Sequence, residues 1–455
     1  MKNSKLRIYF TISCFAVVTI LLAISIYSVY TSSSENINDE VFANKPSIRI
    51  LHNLSESEVA NRLLSEVCDE YRTENGISVI CESLYGSDFY IRLNTDFSSG
   101  HAPDIVVTAP GYSISHLYQC NKLALLQDEL KNDADWYNSI DKSALNFTSA
   151  NGNIYGIPLE TEYIALYVNT NILKRYGLNV PENFTDLKNT VRALSQNSIT
   201  PIAFGQSDED MLLYQAIAAS LAGYTELDTA ISSSVYSTAY TQAFELMKTL
   251  YSMGAFPSDS HALSRADTQQ LFLDGSAAMI VESSTFAAAI EKDVFSGKLS
   301  EHDFEIIAFP SSETSAVSTN DNTQAMKPNL TPVPYGAGNF TVFAAKTSYD
   351  SNRQTVMNFM KRLASRETAQ KLYDQTGSLS AMKINKNPIK ENSLVLNRDL
   401  FIGRSLDITP MPDYIFDEYI QSTFINSQLK DILNGNSDPQ VILNTSAAMM
   451  KTLLN

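Results

Sequence analysis

GNIYGIPLETEYIALYVNTNIL (Gly152–Leu173) is the stretch from which the fold can be read. It begins as a polar turn, starts a strand, passes a proline followed by two carboxylates, and continues as an aliphatic run that breaks at Asn169 before a helix-like segment. Alternation along an extended chain places Glu160 and Glu162 on one face, about 7 Å apart at their Cα atoms. Such a pair serves as a catalytic dyad, a ligand clamp or a solvated strand edge. The chain on either side has to separate these readings.

Upstream, the pattern alternates between β-rich runs and helical periodicity. SIRILHN, ISVICESL and DIVVTAP read as strands, with amphipathic helices between them that stop at Gly76 and Gly100. Strand, helix, strand, helix, strand predicts a parallel sheet with crossover helices. Ligands bind beyond the carboxyl ends of such strands, which puts His52 and Asn53, Tyr85 to Asp88, and Thr108 to Tyr112 at one rim. Downstream of Asn169 the α/β pattern resumes. NFTDLKNTVRALSQN is helical, PIAFG is a strand, QLFLDGSAAMIVESSTF turns at Asp274-Gly275 into a buried strand with a rim at Glu282 to Phe286, and FEIIAFP is a further strand. Residues 311–332, rich in Ser, Thr, Asn and Pro, read as a surface loop. YGAGNFTVFAAK gives a glycine-bearing turn into a strand, then a long amphipathic helix, and two more helices close the chain.

A chain of 455 residues exceeds the size at which one core keeps growing, so two domains are expected. A net charge of -17 disfavours a grip on phosphate backbones and excludes nucleic acid as an expected partner. Neither a phosphate-cradling glycine loop nor a metal-ligand spacing is present among the five histidines, so no cofactor or metal is expected. Lys2, Lys5 and Arg7 precede an uncharged run from Ile8 to Tyr30, long enough to cross a bilayer. Residues 1–30 are therefore expected to be a signal or membrane anchor, followed by a polar linker over 31–46, with everything beyond outside the cell, tethered or, if the segment is cleaved, secreted. Cys14 lies inside the apolar run, which argues against a lipid attached there. Cys68, Cys81 and Cys120 are read as small buried hydrophobes, with a Cys68–Cys81 disulfide as the alternative.

Several motifs in order carry a family resemblance. SSGHAPDIVV (98–107), GNIYGIPLETEYIALYVNTNILKRYGL (152–178), PENFTDLKNTVRAL, FLDGSAAMIVESSTF and FMKRLASRETAQKLYDQTGSLSAMK resemble the extracellular solute-binding proteins of bacterial ABC importers, in the carbohydrate-uptake class of the maltose-binding type. The resemblance implies an α/β clamp of two lobes, each a central sheet flanked by helices, with several hinge crossings. They are expected near Ala165 to Asn169, Ala308 to Pro310 and Asn385 to Pro388, giving 47–165 and 309–385 to lobe 1, and 166–308 and 386–455 to lobe 2. It also implies a monomeric binding protein, not an enzyme, that holds a carbohydrate between the lobes and delivers it to membrane permease subunits. A membrane-anchored sugar sensor of the same fold and a carbohydrate-active hydrolase are the alternatives.

Sugars present hydroxyls and flat apolar faces, so carboxylates, amides and aromatic platforms suit them. By spacing from Pro158, Glu162 matches the ligand-contacting glutamate of the maltose-binding type, and Glu160 shares its face. Tyr163 points the other way unless the proline bends the strand. Thr108 and the turn after it, with Asn53, sit at the rim; Asp88 follows the second strand. Gly338 and Asn339 either let backbone approach the ligand or form a plain turn. Where many relatives carry a tryptophan after G-x-A-A-M, this chain has Thr285 and Phe286. Phe286 is then the platform, or hydrogen bonds dominate. Asp104 is expected to bind backbone amides instead of ligand.

Overall fold

A computed structural model describes residues 47–54, 58–206, 211–222, 234–287, 290, 304–311, 333–385, 408–410 and 425–453. The N-terminal apolar run, the polar linker and loop residues 312–332 lie outside them; among the described residues no helix is long and apolar enough to cross a membrane.

The upstream half folds as its periodicity predicts: β1 (Ser47–His52), α1 (Glu58–Asn75), β2 (Ser78–Ser83), α2 (Gly86–Ser99) and β3 (Ile105–Val107). Helix α2 stops at Gly100, whose φ of 80° is left-handed and open to glycine at no steric cost. Asp104 plays its structural part, its Oδ2 accepting from the Arg49 amide at 2.7 Å. α3 (Tyr112–Gln119) follows, then the hairpin β4 (Ser149–Ala150) and β5 (Asn153–Ile154), and β6 (Gly156–Pro158).

β7 (Glu160–Asn169) is the long strand of the opening sequence. It ends as expected at Asn169, whose side chain accepts from the Ile172 amide and caps α4 (Thr170–Arg175). Beyond it come α5 (Phe184–Gln196), β8 (Thr200–Ala203), α6 (Leu212–Ala222), α7 (Ser234–Ser252), α8 (Arg265–Leu273), β9 (Ala277–Ser283), β10 (Phe304–Ile307), β11 (Val333–Ala337) and β12 (Thr341–Ala344). The capping box at Ser264 and Asp267 starts α8. α9 (Lys346–Leu363), α10 (Arg366–Thr376), β13 (Leu379–Ser380), β14 (Ile408–Pro410), α11 (Asn426–Leu433) and α12 (Pro439–Leu453) complete the chain.

Two sheets result. The first has strand order β2-β1-β3-β12-β6, the second β14-β11-β7-β9-β8, with β10 and β13 also paired to β7. β1, β2 and β3 are parallel, whereas β12 runs antiparallel to β3 and to β6. β7 is buried on both faces: Ile164, Leu166 and Val168 join one apolar cluster with α5, α6 and α7, while Tyr163, Ala165 and Tyr167 join another with Phe272 and Phe286. The first sheet has its own core of Ile48, Ile50, Val67, Phe340, Val342 and Phe359, among others.

The pairing moves the crossings from their expected places. Pro158 belongs to the first sheet and Glu160 to the second, so the first crossing is at Leu159, not Ala165–Asn169. FEIIAFP does not return to the first sheet: β10 lies antiparallel to β7, and Ser311 bridges Asn183. The second crossing comes between Ala337 on β11 and Thr341 on β12, and the third between Leu379, paired to Thr161, and Met382, bridged to Ile140. Alternating apolar runs are the same on either side of such a junction, so periodicity locates the strands without assigning them to a sheet.

Candidate functional site

The three crossings leave the first sheet at one end. Val107 at the end of β3 pairs with Val342, and Thr341 pairs with Pro158, so β1, β3 and β6 finish where β12 begins. In the second sheet β7 starts at the crossing, and β11 and β9, antiparallel to it, end there: Ala337 lies opposite Thr161, and Ser283 opposite Ile164. β8 runs parallel to β9. The carboxyl ends of parallel strands in both sheets thus converge on the same junction, the position at which open α/β sheets take ligands.

Glu160 fastens that junction. Its Oε1 accepts from the Phe340 amide at 2.9 Å, and its carbonyl accepts from the Gly338 amide at 3.0 Å. Ser378 also hydrogen-bonds the carboxylate, and Ser380 is its strand partner. Leu159 adds two backbone bonds, its amide to Phe340 O and its carbonyl from the Ala381 amide, each 2.9 Å. Burial pushes the Glu160 carboxyl above the usual carboxylate range, opposed by the bonds from Phe340 and Ser378. Gly338 is required by close packing: a Cβ there would stand 2.6 Å from Glu160 Cγ.

Beside the junction the lining is mixed. Thr108 is fully buried, its amide bonded to Thr341 O at 3.1 Å, and Asn53 N reaches Val107 O at 3.4 Å. Thr108 Oγ1 and Asn53 Oδ1 are buried with no hydrogen-bond partner among the described residues, an arrangement that costs about 1–3 kcal/mol for each group left unmet. Phe147, carried on the turn before β4, meets Tyr335 of the second sheet edge to face, with ring centroids 5.1 Å apart. Tyr112, at the start of α3, is buried in the apolar cluster of the second sheet. Glu162, half-buried, sits opposite Gly336.

Residues 66–388 match the family described as bacterial extracellular solute-binding protein. The chain belongs to that family. Its fold is the periplasmic-binding-protein-like α/β clamp, and a chitin oligosaccharide binding protein of known structure superposes on 90% of this chain and 98% of its own with a TM-score of 0.69 at 17% identity. A binding protein of Brucella abortus is 22% identical over 400 residues, 86% of this chain and 89% of its own. A maltooligosaccharide ABC transporter solute-binding lipoprotein of Streptococcus pneumoniae is 30% identical over 134 residues, 28% of each chain.

Set on this solute-binding fold, the residues singled out from the sequence divide. Glu160 is not a ligand contact, because its carboxylate is bonded to Phe340 and Ser378 inside the crossing. Gly338 makes room for Glu160 and not for ligand. Tyr163 keeps strict alternation and points away from Glu162 into the cluster with Tyr167. Phe286 cannot be a platform: it is 2% exposed, 5.4 Å from the Tyr167 ring and 6.0 Å from that of Phe272. Glu282, at the same rim, is buried under Arg265, which binds it through two nitrogens at 2.9 and 2.7 Å, and under Gln269. Asp88 is exposed in the first turn of α2, beyond edge strand β2; three strand spacings, about 14 Å, separate β2 from β12. His52 is buried and its imidazole pushed down to about 4 by desolvation, which keeps it neutral.

Glu162, Thr108, Asn53 and Asn339 do gather around the junction, and Thr285 is half-buried with its hydroxyl 2.7 Å from Ser283 Oγ. Phe147 and Tyr335 escaped the sequence reading. Each looks like an ordinary apolar position in its own segment, and only the packing of Phe147 against the clusters of the second sheet sets it beside Tyr335. The C-terminal aromatics Tyr414 and Tyr419, whose helical spacing reads as core with the cleft as the alternative, lie outside the described residues. Trp136 is structural, its Nε1 donating to Ala364 O at 2.9 Å.

Proposed function

We propose that this solute-binding protein holds a carbohydrate between its two sheets and presents the closed form to the permease of an ABC importer. The convergence of strand ends from both sheets on three crossings is the observation that carries the reading. Glu162 accepts two sugar hydroxyls in charge-assisted bonds; the half-buried Asn53 and Asn339 complete the polar set, with Thr285 at its edge and the fully buried Thr108 behind it. The half-buried Phe147 supplies an apolar face in place of the missing tryptophan, with the buried Tyr335 packed behind it. The two sheet units act as lobes. Ligand adds contacts to the closed form alone, and that differential affinity shifts the population toward closure. The names of the Streptococcus and chitin-oligosaccharide relatives support a saccharide as the solute. Residues 8–30 tether the protein to the outer face of the membrane.

Catalysis by a carboxylate pair fits poorly. Acid and nucleophile must flank the scissile bond from opposite sides, and Glu160 is committed to Phe340. The test is calorimetry with maltotriose, chitobiose, xylotriose and raffinose, joined to small-angle scattering at saturation with whichever sugar binds. Binding, a smaller radius of gyration and chemically intact sugar are expected. Cleaved sugar would transfer the reading to a hydrolase, and an unchanged radius at saturation would remove the clamp.

A further inference from the structure

Away from the crossings, Cys68 and Cys81 meet on the far side of the first sheet. Cys68 lies on α1, 4% exposed, among Val67, Leu64 and Tyr71. Cys81 lies on the edge strand β2, two residues from Val79 and so on the same strand face, the one that packs against α1. The two sulfur atoms are 3.1 Å apart. The sulfurs stand about 1 Å beyond the length of a disulfide bond. The two thiols also differ in access: Cys81 is exposed and Cys68 buried. Cys81 was expected to be buried, as was Cys120, and the structure exposes both. A strand at the edge of the sheet explains Cys81, and the end of a short helix explains Cys120.

We infer that Cys68 and Cys81 are a disulfide-forming pair that ties the edge strand of the first sheet to α1 outside the cell. An extracellular family is compatible with oxidised thiols, and the co-reactant is a small-molecule or protein disulfide. The exposed Cys81 gives up its proton and attacks one sulfur of that disulfide, expelling the other as a thiolate and forming a mixed disulfide. Cys68 loses its proton in turn and attacks the Cys81 sulfur, expelling the second thiolate. Two protein thiols are oxidised, one external disulfide is reduced to two thiols, and the protons released go to those thiols. The hydrogen bond from the Cys68 thiol lowers the pKa of Cys81, while the same bond and burial raise that of Cys68, an order that suits Cys81 as the attacking group. The bond closes only a short loop, its ends 13 positions apart, yet it pins the one strand of this sheet that leaves a large aliphatic side chain, Ile80, 55% exposed.

The full chain, purified reduced, is treated with oxidised glutathione, denatured with N-ethylmaleimide and cut with trypsin. Cleavage after Arg62, Arg72 and Arg92 puts the two cysteines on separate peptides. The expected product is a dithiothreitol-sensitive species joining 63–72 to 73–92, with Cys120 carrying the maleimide. In Cys81→Ser that species disappears and Cys68 carries the label. Two labelled peptides after oxidation, a glutathione adduct that persists on Cys81 beside a labelled Cys68, or a link to Cys120 would each overturn the inference.

Discussion

The crossings and the aromatic lining beside them occupy the same ends of the two sheets, yet opposite means hold them. At the crossings, backbone amides and carbonyls of three chain segments bond to one another and to a single buried carboxylate, Glu160. At the lining, the rings of Phe147 and Tyr335 meet edge to face, and Glu162 is half-buried on the strand beside Tyr335. If the two sheet units rotate as the lobes proposed above, these bonded segments must persist, because every lost bond leaves a buried polar group unmet. A ring contact can part at the cost of some apolar area. Under the proposed closure the difference assigns the motion: dihedrals at the crossings turn while their bonds stay, and the lining opens.

Removing the carboxylate on the open side should have the largest effect on binding and the smallest on folding. Glu162→Ala is expected to weaken the cognate sugar by about 100-fold, on the order of 3 kcal/mol for two charge-assisted bonds, with the Tm of the unliganded protein nearly unchanged. Calorimetry and a thermal scan read both, and a collapsed Tm would make Glu162 as structural as Glu160.

Glu160→Ala should do the reverse. It leaves the Phe340 amide buried without its acceptor, at a cost of about 2 kcal/mol in urea unfolding, while Glu160→Gln keeps an acceptor and loses less. An unchanged denaturation midpoint in the alanine variant would show that the crossings do not depend on this carboxylate. Gly338→Ala tests the same contact from its other side. Its Cβ, 2.6 Å from Glu160 Cγ, forces a shift worth about 1.5 kcal/mol. In the double variant the added methyl meets no glutamate, so the two costs should sum to less than their separate values. Strict additivity would deny the contact.

The smallest effect is one of slope. Because the folded Glu160 carboxyl is held above its ordinary value, the folded state keeps its proton longer than the unfolded chain does. Its contribution is full below the ordinary carboxylate pKa and is lost as pH rises through the folded value. His52 acts with the opposite sign: lowered from 6.5 to about 4, it favours the fold above 6.5 and withdraws that support as pH falls toward 4. Urea midpoints across this range should flatten on the alkaline side in Glu160→Gln and on the acid side in His52→Gln. Identical profiles would remove both groups from the pH response.

Local sequence was enough for the elements themselves. Period-two and helical patterns gave the strands and helices of the first half, Gly100 stopped α2 where only a left-handed residue continues the chain, and Asn169 ended β7 as the cap of the next helix. Motif order gave the family, since several weak matches in one order carry information that each lacks alone. These features depend on residues within a few positions of one another, where rotamer preference and backbone sterics act directly.

The roles of the two carboxylates were decided elsewhere. Alternation puts Glu160 and Glu162 on one strand face and cannot tell them apart. What separates them is Phe340, 180 positions away, and Ser378, which close over Glu160 and leave Glu162 half open. Phe286 was drawn into the core by Tyr167 and Phe272, and Phe147 was brought against Tyr335. Periodicity shows which face of an element is buried, but what covers a residue at a strand end is set by how distant segments pack and has no local signal. The sequence determined which polar and aromatic groups this protein carries, and the tertiary structure determined which of them are committed to the core and the crossings.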